Sequence, residues 1–127
     1  MTSSPLNPAT TPTSPLYSQG VEVRHPRSFV FVSGQVGVRA DGTVLEGIQA
    51  QTTQALANLE AVLAEAGLIS ADLAKLTVYL TDPADVELFT AALAGTLPDP
   101  PPALTVVFVA GLAAADLRVE IEGVAAR

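Results

Sequence analysis

Residues 46–67 read EGIQAQTTQALANLEAVLAEAG, and this stretch decides the fold class. Ile48, Thr52, Ala55, Leu56, Leu59, Val62, Leu63 and Ala66 recur at steps of three and four, which places them on one stripe of an α-helix over about 46–66. Gly67 stands where a C-capping glycine belongs, because glycine enters the left-handed region without a Cβ clash. Gln51, Gln54, Asn58 and Glu65 fall on the opposite side and read as the solvated face. An apolar stripe must be buried against another layer, and on both sides of this helix the sequence changes to strand chemistry.

Upstream, Val21 to Arg24 is a short β-prone run and His25-Pro26-Arg27-Ser28 a turn. Phe29 to Val36 is dense in aromatic and β-branched residues and reads as a strand. The two runs are expected to pair as a hairpin, and Ala40-Asp41-Gly42-Thr43 marks the next turn. Downstream, Leu73 to Leu80 is a strand ended by Thr81-Asp82-Pro83. Asp82 is placed to cap a second helix carried by Val86, Phe89 and Leu93, with Pro83 in its first turn. The prolines of 97–102 make a rigid loop. Ala103 to Ala110 is a continuous apolar strand, expected to be buried on both faces or at an interface. Leu117 to Ala125 alternates, with Arg118, Glu120 and Glu122 on one face and Leu117, Val119 and Ile121 on the other. The order β-β-α-β-α-β-β is an α+β domain over 15–127. A Ser/Thr/Pro-rich arm, 1–14, precedes it and is expected to be disordered or loosely draped.

The bulk numbers exclude several functions. The chain has 127 residues, of which 15% are charged, few for the surface of a small monomer. Either the surface is alanine-rich or part of it is hidden in an oligomer. The formal net charge is −7, and the six basic residues (Arg24, Arg27, Arg39, Lys75, Arg118, Arg127) form no run, so no nucleic-acid partner is expected. There is no cysteine and one histidine, His25, so no metal site is expected; a His beside Pro26 reads as a turn residue. No run of about 18 apolar residues spans a bilayer, and residues 1–14 lack the basic start and apolar core of a secretory signal. No membrane partner and a cytoplasmic address are therefore expected.

Six segments together carry a family resemblance: Tyr17-Ser18-Gln19-Gly20, Phe31-Val32-Ser33-Gly34-Gln35, Gln51 to Leu59, Thr77 to Asp82, Pro101-Pro102-Ala103, and Val119-Glu120-Ile121-Glu122-Gly123. In this order they resemble the Rid family, also called YjgF, RidA-like or historically L-PSP endoribonuclease, from about residue 15 to the end. The resemblance implies a chorismate-mutase-like fold, a homotrimer whose sheets pack into a central barrel, and small-molecule clefts at the subunit interfaces. It also implies hydrolysis of enamines and imines such as 2-aminoacrylate, with no cofactor. At the matching positions Glu120 is implied to position or deprotonate the attacking water, while Tyr17, Ser33, Gly34, Leu104, Thr105 and Val106 line the cleft.

The chain departs from the pattern where it matters. The deaminating members carry an arginine that grips the substrate carboxylate where this chain has Leu104. The cysteine of many members is Val106, and an asparagine of the second helix is Thr90. Losing a charge-assisted bidentate contact costs on the order of several kcal/mol of binding, so small amino-acid imines are not expected to be its substrates.

The residues also have plainer readings. Glu120 is equally a rim carboxylate, and Arg118 is expected to pair with Glu120 or Glu122, the sharper alternative being a relocated anion site. Tyr17 covers either a core edge or a cleft. Ser33 has no local base and is not a nucleophile. Gly34 and Gly37 read as points of close backbone approach, and Leu104, Val106 and Phe108 as core or as an apolar cleft wall. Three functions stay open: a hydrolase of altered substrate, a binding trimer without chemistry, and a ribonuclease, the last opposed by the acidic charge.

Overall fold

The computed structural model describes residues 3–127. Strands β1 (Ser3–Leu6), β2 (Gly20–Val23) and β3 (Phe29–Val36) precede helix α1 (Ile48–Glu65). Then follow β4 (Leu73–Leu80), α2 (Val86–Ala94), β5 (Ala103–Phe108) and β6 (Val119–Ala126). The main sheet runs β3-β6-β4-β5, with β4 and β5 parallel and the other neighbours antiparallel. It is open within one chain, and β5 is an edge.

The period of the sequence explains which face is covered. Leu76, Val78 and Leu80 are every second residue of β4 and are fully buried, as are Val119 and Ile121 of β6. Leu56, Leu59 and Leu63 of α1 and Phe89 and Leu93 of α2 close over them in one cluster. Truncating a leucine such as Leu59 here costs about 3 kcal/mol, because lost transfer energy and a residual cavity add. Among the described residues no helix lies over the other face, where Phe31 is 76% exposed.

The expected helix ends are present. Gly67 has φ 72°, and its N–H and that of Leu68 return to the carbonyls of Ala64 and Leu63 at 3.0 Å, a Schellman closure. Asp82 Oδ1 accepts the Ala84 N–H at 2.9 Å, and a short 3₁₀ turn from Pro83 leads into α2.

Four expectations are corrected. The β2 and β3 runs do not pair as a hairpin. His25, at φ 49°, turns the chain between two sheets, so that β2 pairs with β1 and β3 with β6. The segment expected to drape loosely contains β1, paired antiparallel from Ser3↔Val23 to Leu6↔Gly20. Pro5 is accommodated there because each strand of a two-stranded ribbon keeps one unpaired edge. Of the two settings expected for β5, burial on both faces within one chain does not hold: Val106, Val107 and Phe108 are 38%, 38% and 50% exposed.

The fourth correction concerns the face of α1 that read as solvated. Gln51 is buried, and Gln54 and Asn58 are half-buried. The loops after β3 and before β6 fold over the N-terminal half of α1, so its amides meet backbone carbonyls instead of water. Gln51 Nε2 donates to Leu45 and Asp116 at 2.9 Å, and its Oε1 accepts the Arg118 N–H at 2.8 Å. Asn58 Nδ2 donates to Val36 and Val38 at 3.2 and 2.9 Å. Gly37 permits this approach: a Cβ there would stand 2.5 Å from the Gln51 Cα.

Candidate functional site

The uncovered face of the sheet carries the polar chemistry. Directly paired residues share a face, so the register assigns each side chain. Glu120 pairs with Val36 on one side and Tyr79 on the other, while Thr77 pairs with Glu122 and with Thr105. Glu120, Glu122, Thr77, Tyr79 and Thr105 therefore project away from the helices.

Between Val32 and Gln35 the β3–β6 register slips, so Ser33 and Gly34 together oppose Glu122. This bulge breaks the ladder beside Glu120. The Glu120 side chain lies directly against it: a Cβ on Gly34 would stand 2.3 Å from Glu120 Oε2 and 2.6 Å from Cδ. Ser33 is exposed next to it.

The second carboxylate has a different setting. The Tyr79 hydroxyl donates a short hydrogen bond to Glu122 Oε1. That bond, partial desolvation and the negative charges of Glu122 and Glu120 raise the tyrosine pKa above its ordinary value. Lys75 Nζ donates to Thr105 Oγ1 at 2.6 Å on the same face.

The other candidates lie elsewhere. Leu104 pairs with the buried Leu76 and Val106 with Val78, so both project to the helix side, where Leu104 packs against the core. Tyr17 is half-buried beside the start of β5. Its neighbour Ser18 anchors it, with the hydroxyl donating to Pro101 O at 2.6 Å and the N–H to Pro102 O at 3.0 Å. One chain thus brings Ser33, Gly34 and Glu120 together. It places Leu104 and Val106 on β5, two strands from Glu120, roughly 10 Å at about 4.8 Å per strand, three strands from Ser33 and Gly34, and across the sheet, with Tyr17 beside the start of β5. Thr105 alone of the β5 candidates shares the face of Glu120.

Arg118 does not pair with Glu120 or Glu122. Its Nε and Nη2 donate to Asp85 Oδ2 and Oδ1 at 3.0 and 2.8 Å. Arg118 precedes the first residue of β6, so strand alternation does not fix its direction, and the buried Asp85 carboxylate captures it. Arg118 also borders a groove of about 650 Å³ lined by Glu46, Gln51, Thr81, Asp82 and Asp116, among others. None of the sequence-derived site residues lines that groove, and its carboxylates oppose the relocated anion site. Among the described residues no three His, Asp or Glu side chains gather as a metal-binding group, and no helix is long and apolar enough to cross a membrane.

Sequence reasoning missed the Tyr79–Glu122 pair and the Gln51 clamp. The first was legible in principle, since alternating residues of adjacent strands with complementary groups are candidates for pairing. The second was not, because its partners are backbone carbonyls of distant loops.

The chain is similar to several known proteins. The sequence profile described as Endoribonuclease L-PSP matches residues 9–127. A protein of Salmonella typhimurium named 2-iminobutanoate/2-iminopropanoate deaminase is 36% identical over 115 residues, covering 87% of each chain. A RutC family protein of Aquifex aeolicus is 43% identical over 77 residues, which spans 57% of this chain and 59% of that relative. The crystal structure of the Rid family protein YyfB of unknown function, from Yersinia pestis, superposes with a TM-score of 0.87 at 32% identity, covering 100% of both chains. With the profile matching residues 9–127 and the whole chain superposing on a Rid family structure, this chain belongs to the Rid family, the family also described as L-PSP endoribonuclease.

Proposed function

We propose that this chain is a cofactor-free hydrolase of imines or enamines, working at clefts completed by a second subunit of a homotrimer, with Glu120 as general acid/base. The observation that carries the reading is the contrast between two carboxylates on one sheet face. Glu122 is committed to Tyr79, whereas Glu120 accepts no side-chain hydrogen bond among the described residues and rests against the Gly34 backbone. A carboxylate free to exchange a proton beside an open surface is what imine hydrolysis requires. Water adds to the C=N carbon as Glu120 takes its proton. That proton passes to the nitrogen to give the carbinolamine, and Glu120 then relays the hydroxyl proton to the nitrogen as the C–N bond breaks, releasing a carbonyl compound and ammonia. The relative named 2-iminobutanoate/2-iminopropanoate deaminase supports this reaction class.

The substrate differs from a small imino acid. Leu104 is uncharged and packed on the core, and Arg118 is held by Asp85, so neither supplies the carboxylate grip. The wall along β5, with Leu104 and Val106, suits an apolar group. Because Glu120 and Leu104 lie on opposite faces of one sheet, a cleft using both takes them from different subunits. The ribonuclease activity in the family description is not carried over, since a chain of net charge −7 without a basic stripe repels a polyanion.

The test measures ammonia release from enzymatically generated 2-aminoacrylate and from bulkier, uncharged imines, with wild type, Glu120→Gln and Leu104→Arg. Turnover of an uncharged imine that falls at least roughly 100-fold in Glu120→Gln is expected, as is gain of 2-aminoacrylate turnover in Leu104→Arg. Tight binding of imine analogues with no product from any variant instead establishes a binding trimer, the reading that Leu104 itself favours.

A further inference from the structure

We propose that Gly34 is a positioning residue for Glu120: the absent side chain at the β3 bulge is the seat of the Glu120 carboxylate. The inference rests on the role of Glu120 given above. Glycine is required in a strand for one of two usual reasons, a positive φ or close approach of another backbone. Neither holds here. Gly34 does not have a positive φ, and the three atoms nearest to a Cβ built on it are all from one side chain: Glu120 Oε2, Cδ and Cγ at 2.3, 2.6 and 2.8 Å.

Gly37, three residues on, shows the contrast. A Cβ there meets the Cα of Gln51 at 2.5 Å, part of a helix that cannot move aside without the fold. At position 34 the three nearest atoms all belong to the Glu120 side chain. A methyl group there spares the fold and displaces the carboxylate.

The seat also orients the group. Oε2, Cδ and Cγ of Glu120 all lie against the bulge, so the carboxylate is seated on the Gly34 backbone. A proton-transfer group must be held within a fraction of an ångström, and misplacement by about 1 Å costs roughly 100-fold in rate. The bulge thus opens the ladder where Ser33 and Gly34 oppose Glu122, and leaving out one side chain turns the gap into a carboxylate cradle.

The test compares Gly34→Ala, Gly37→Ala and Glu120→Gln by thermal unfolding and by NMR of protein carrying ¹³C-carboxyl glutamate, in which Glu120→Gln assigns the Glu120 signal. Gly34→Ala is expected to unfold within about 3 °C of wild type, against a fall of more than about 5 °C for Gly37→Ala. The Glu120 signal is expected to move in Gly34→Ala while that of Glu122 stays. An unmoved Glu120 signal overturns the proposal, and so does a fall in unfolding temperature as large as that of Gly37→Ala. Where a substrate is turned over, Gly34→Ala lowers kcat roughly 100-fold with little change in KM, and the double variant with Glu120→Gln is no slower than Glu120→Gln alone. Additive losses overturn it as well. A chain that turns over nothing removes the hydrolase reading, while the NMR comparison still decides the seat.

Discussion

Gln51 and Arg118 are 67 residues apart in sequence and joined by one hydrogen bond, from the Arg118 N–H to Gln51 Oε1 at 2.8 Å. Gln51 Nε2 closes the clamp on the Leu45 and Asp116 carbonyls. The clamp holds the start of β6, two residues from Glu120, against α1. Gln51→Leu keeps the side-chain volume and removes all three bonds, leaving one N–H and two carbonyls unpaired in a part-buried place. At about 1–3 kcal/mol for an orphaned buried group, softened by local relaxation, the expected loss is about 3 kcal/mol. Chemical denaturation at fixed protomer concentration checks it, and a loss below about 1 kcal/mol means that water enters and replaces the clamp.

The Asp85–Arg118 pair is asymmetric, and so are its variants. The Asp85 side chain is 8% exposed and that of Arg118 42%. Arg118→Ala strands a buried carboxylate, at an expected cost of about 2–4 kcal/mol. Asp85→Ala leaves a guanidinium that turns to water, at about 1 kcal/mol. The order of the two unfolding midpoints is the measurement. Equal losses would show that packing of the two side chains, not charge, dominates the contact.

Tyr79 sets a pH dependence of known sign. Its folded-state pKa is raised, first by the hydrogen bond to Glu122 and then by burial and the two nearby carboxylates. The protonated phenol is the form that folding favours. This contribution to stability is therefore complete below the ordinary tyrosine value of about 10 and is lost as pH rises through the higher folded value. In a Tyr17→Phe background one tyrosine remains, and absorbance at 295 nm is expected to report tyrosinate forming only above about pH 10. Adding Glu122→Gln moves the transition down. An unchanged transition would separate the shift from Glu122.

How far the sequence revealed the structure depended on whether the signal was local. The α1 stripe from Ile48 to Leu63, the Gly67 cap, the Asp82-Pro83 helix start and the alternation in β6 each depend on neighbours within a turn or a strand, and all are present, although Val62 and Ala66, read as part of the stripe, are exposed. Pairing partners are not local: nothing in Val21–Val23 distinguishes β1 from β3 as its neighbour. Polar residues on α1 were read as solvated because periodicity reports which side of a helix faces away from the sheet, not whether loops return over it. Of the candidate site residues named through the family pattern, the structure brings Glu120, Ser33 and Gly34 together. That Leu104 and Glu120 point to opposite faces was hidden until the β4–β5 register was known, because parity along a strand says nothing about parity across two.

The uncovered sheet face makes the last prediction. Phe31 is 76% and Phe29 54% exposed, and their rings stack at 6.2 Å between centroids. Two phenylalanines on one sheet face beside Glu120 and Glu122 are costly to leave in water, at about 25 cal/mol per Å² of apolar surface. In a homotrimer built on this face they are covered. Phe31→Glu removes little packing within its own chain, so circular dichroism is expected to be unchanged and stability of the subunit fold to shift by no more than about 0.5 kcal/mol. The new carboxylate adds a third acidic group to a face that already holds two, and burying it against further copies is unfavourable. Sedimentation velocity at micromolar concentration is expected to show a wild-type trimer and a variant moved to monomer. A variant that stays trimeric would place the interface on another surface, and the cleft shared between Glu120 of one subunit and Leu104 of the next would fall with it.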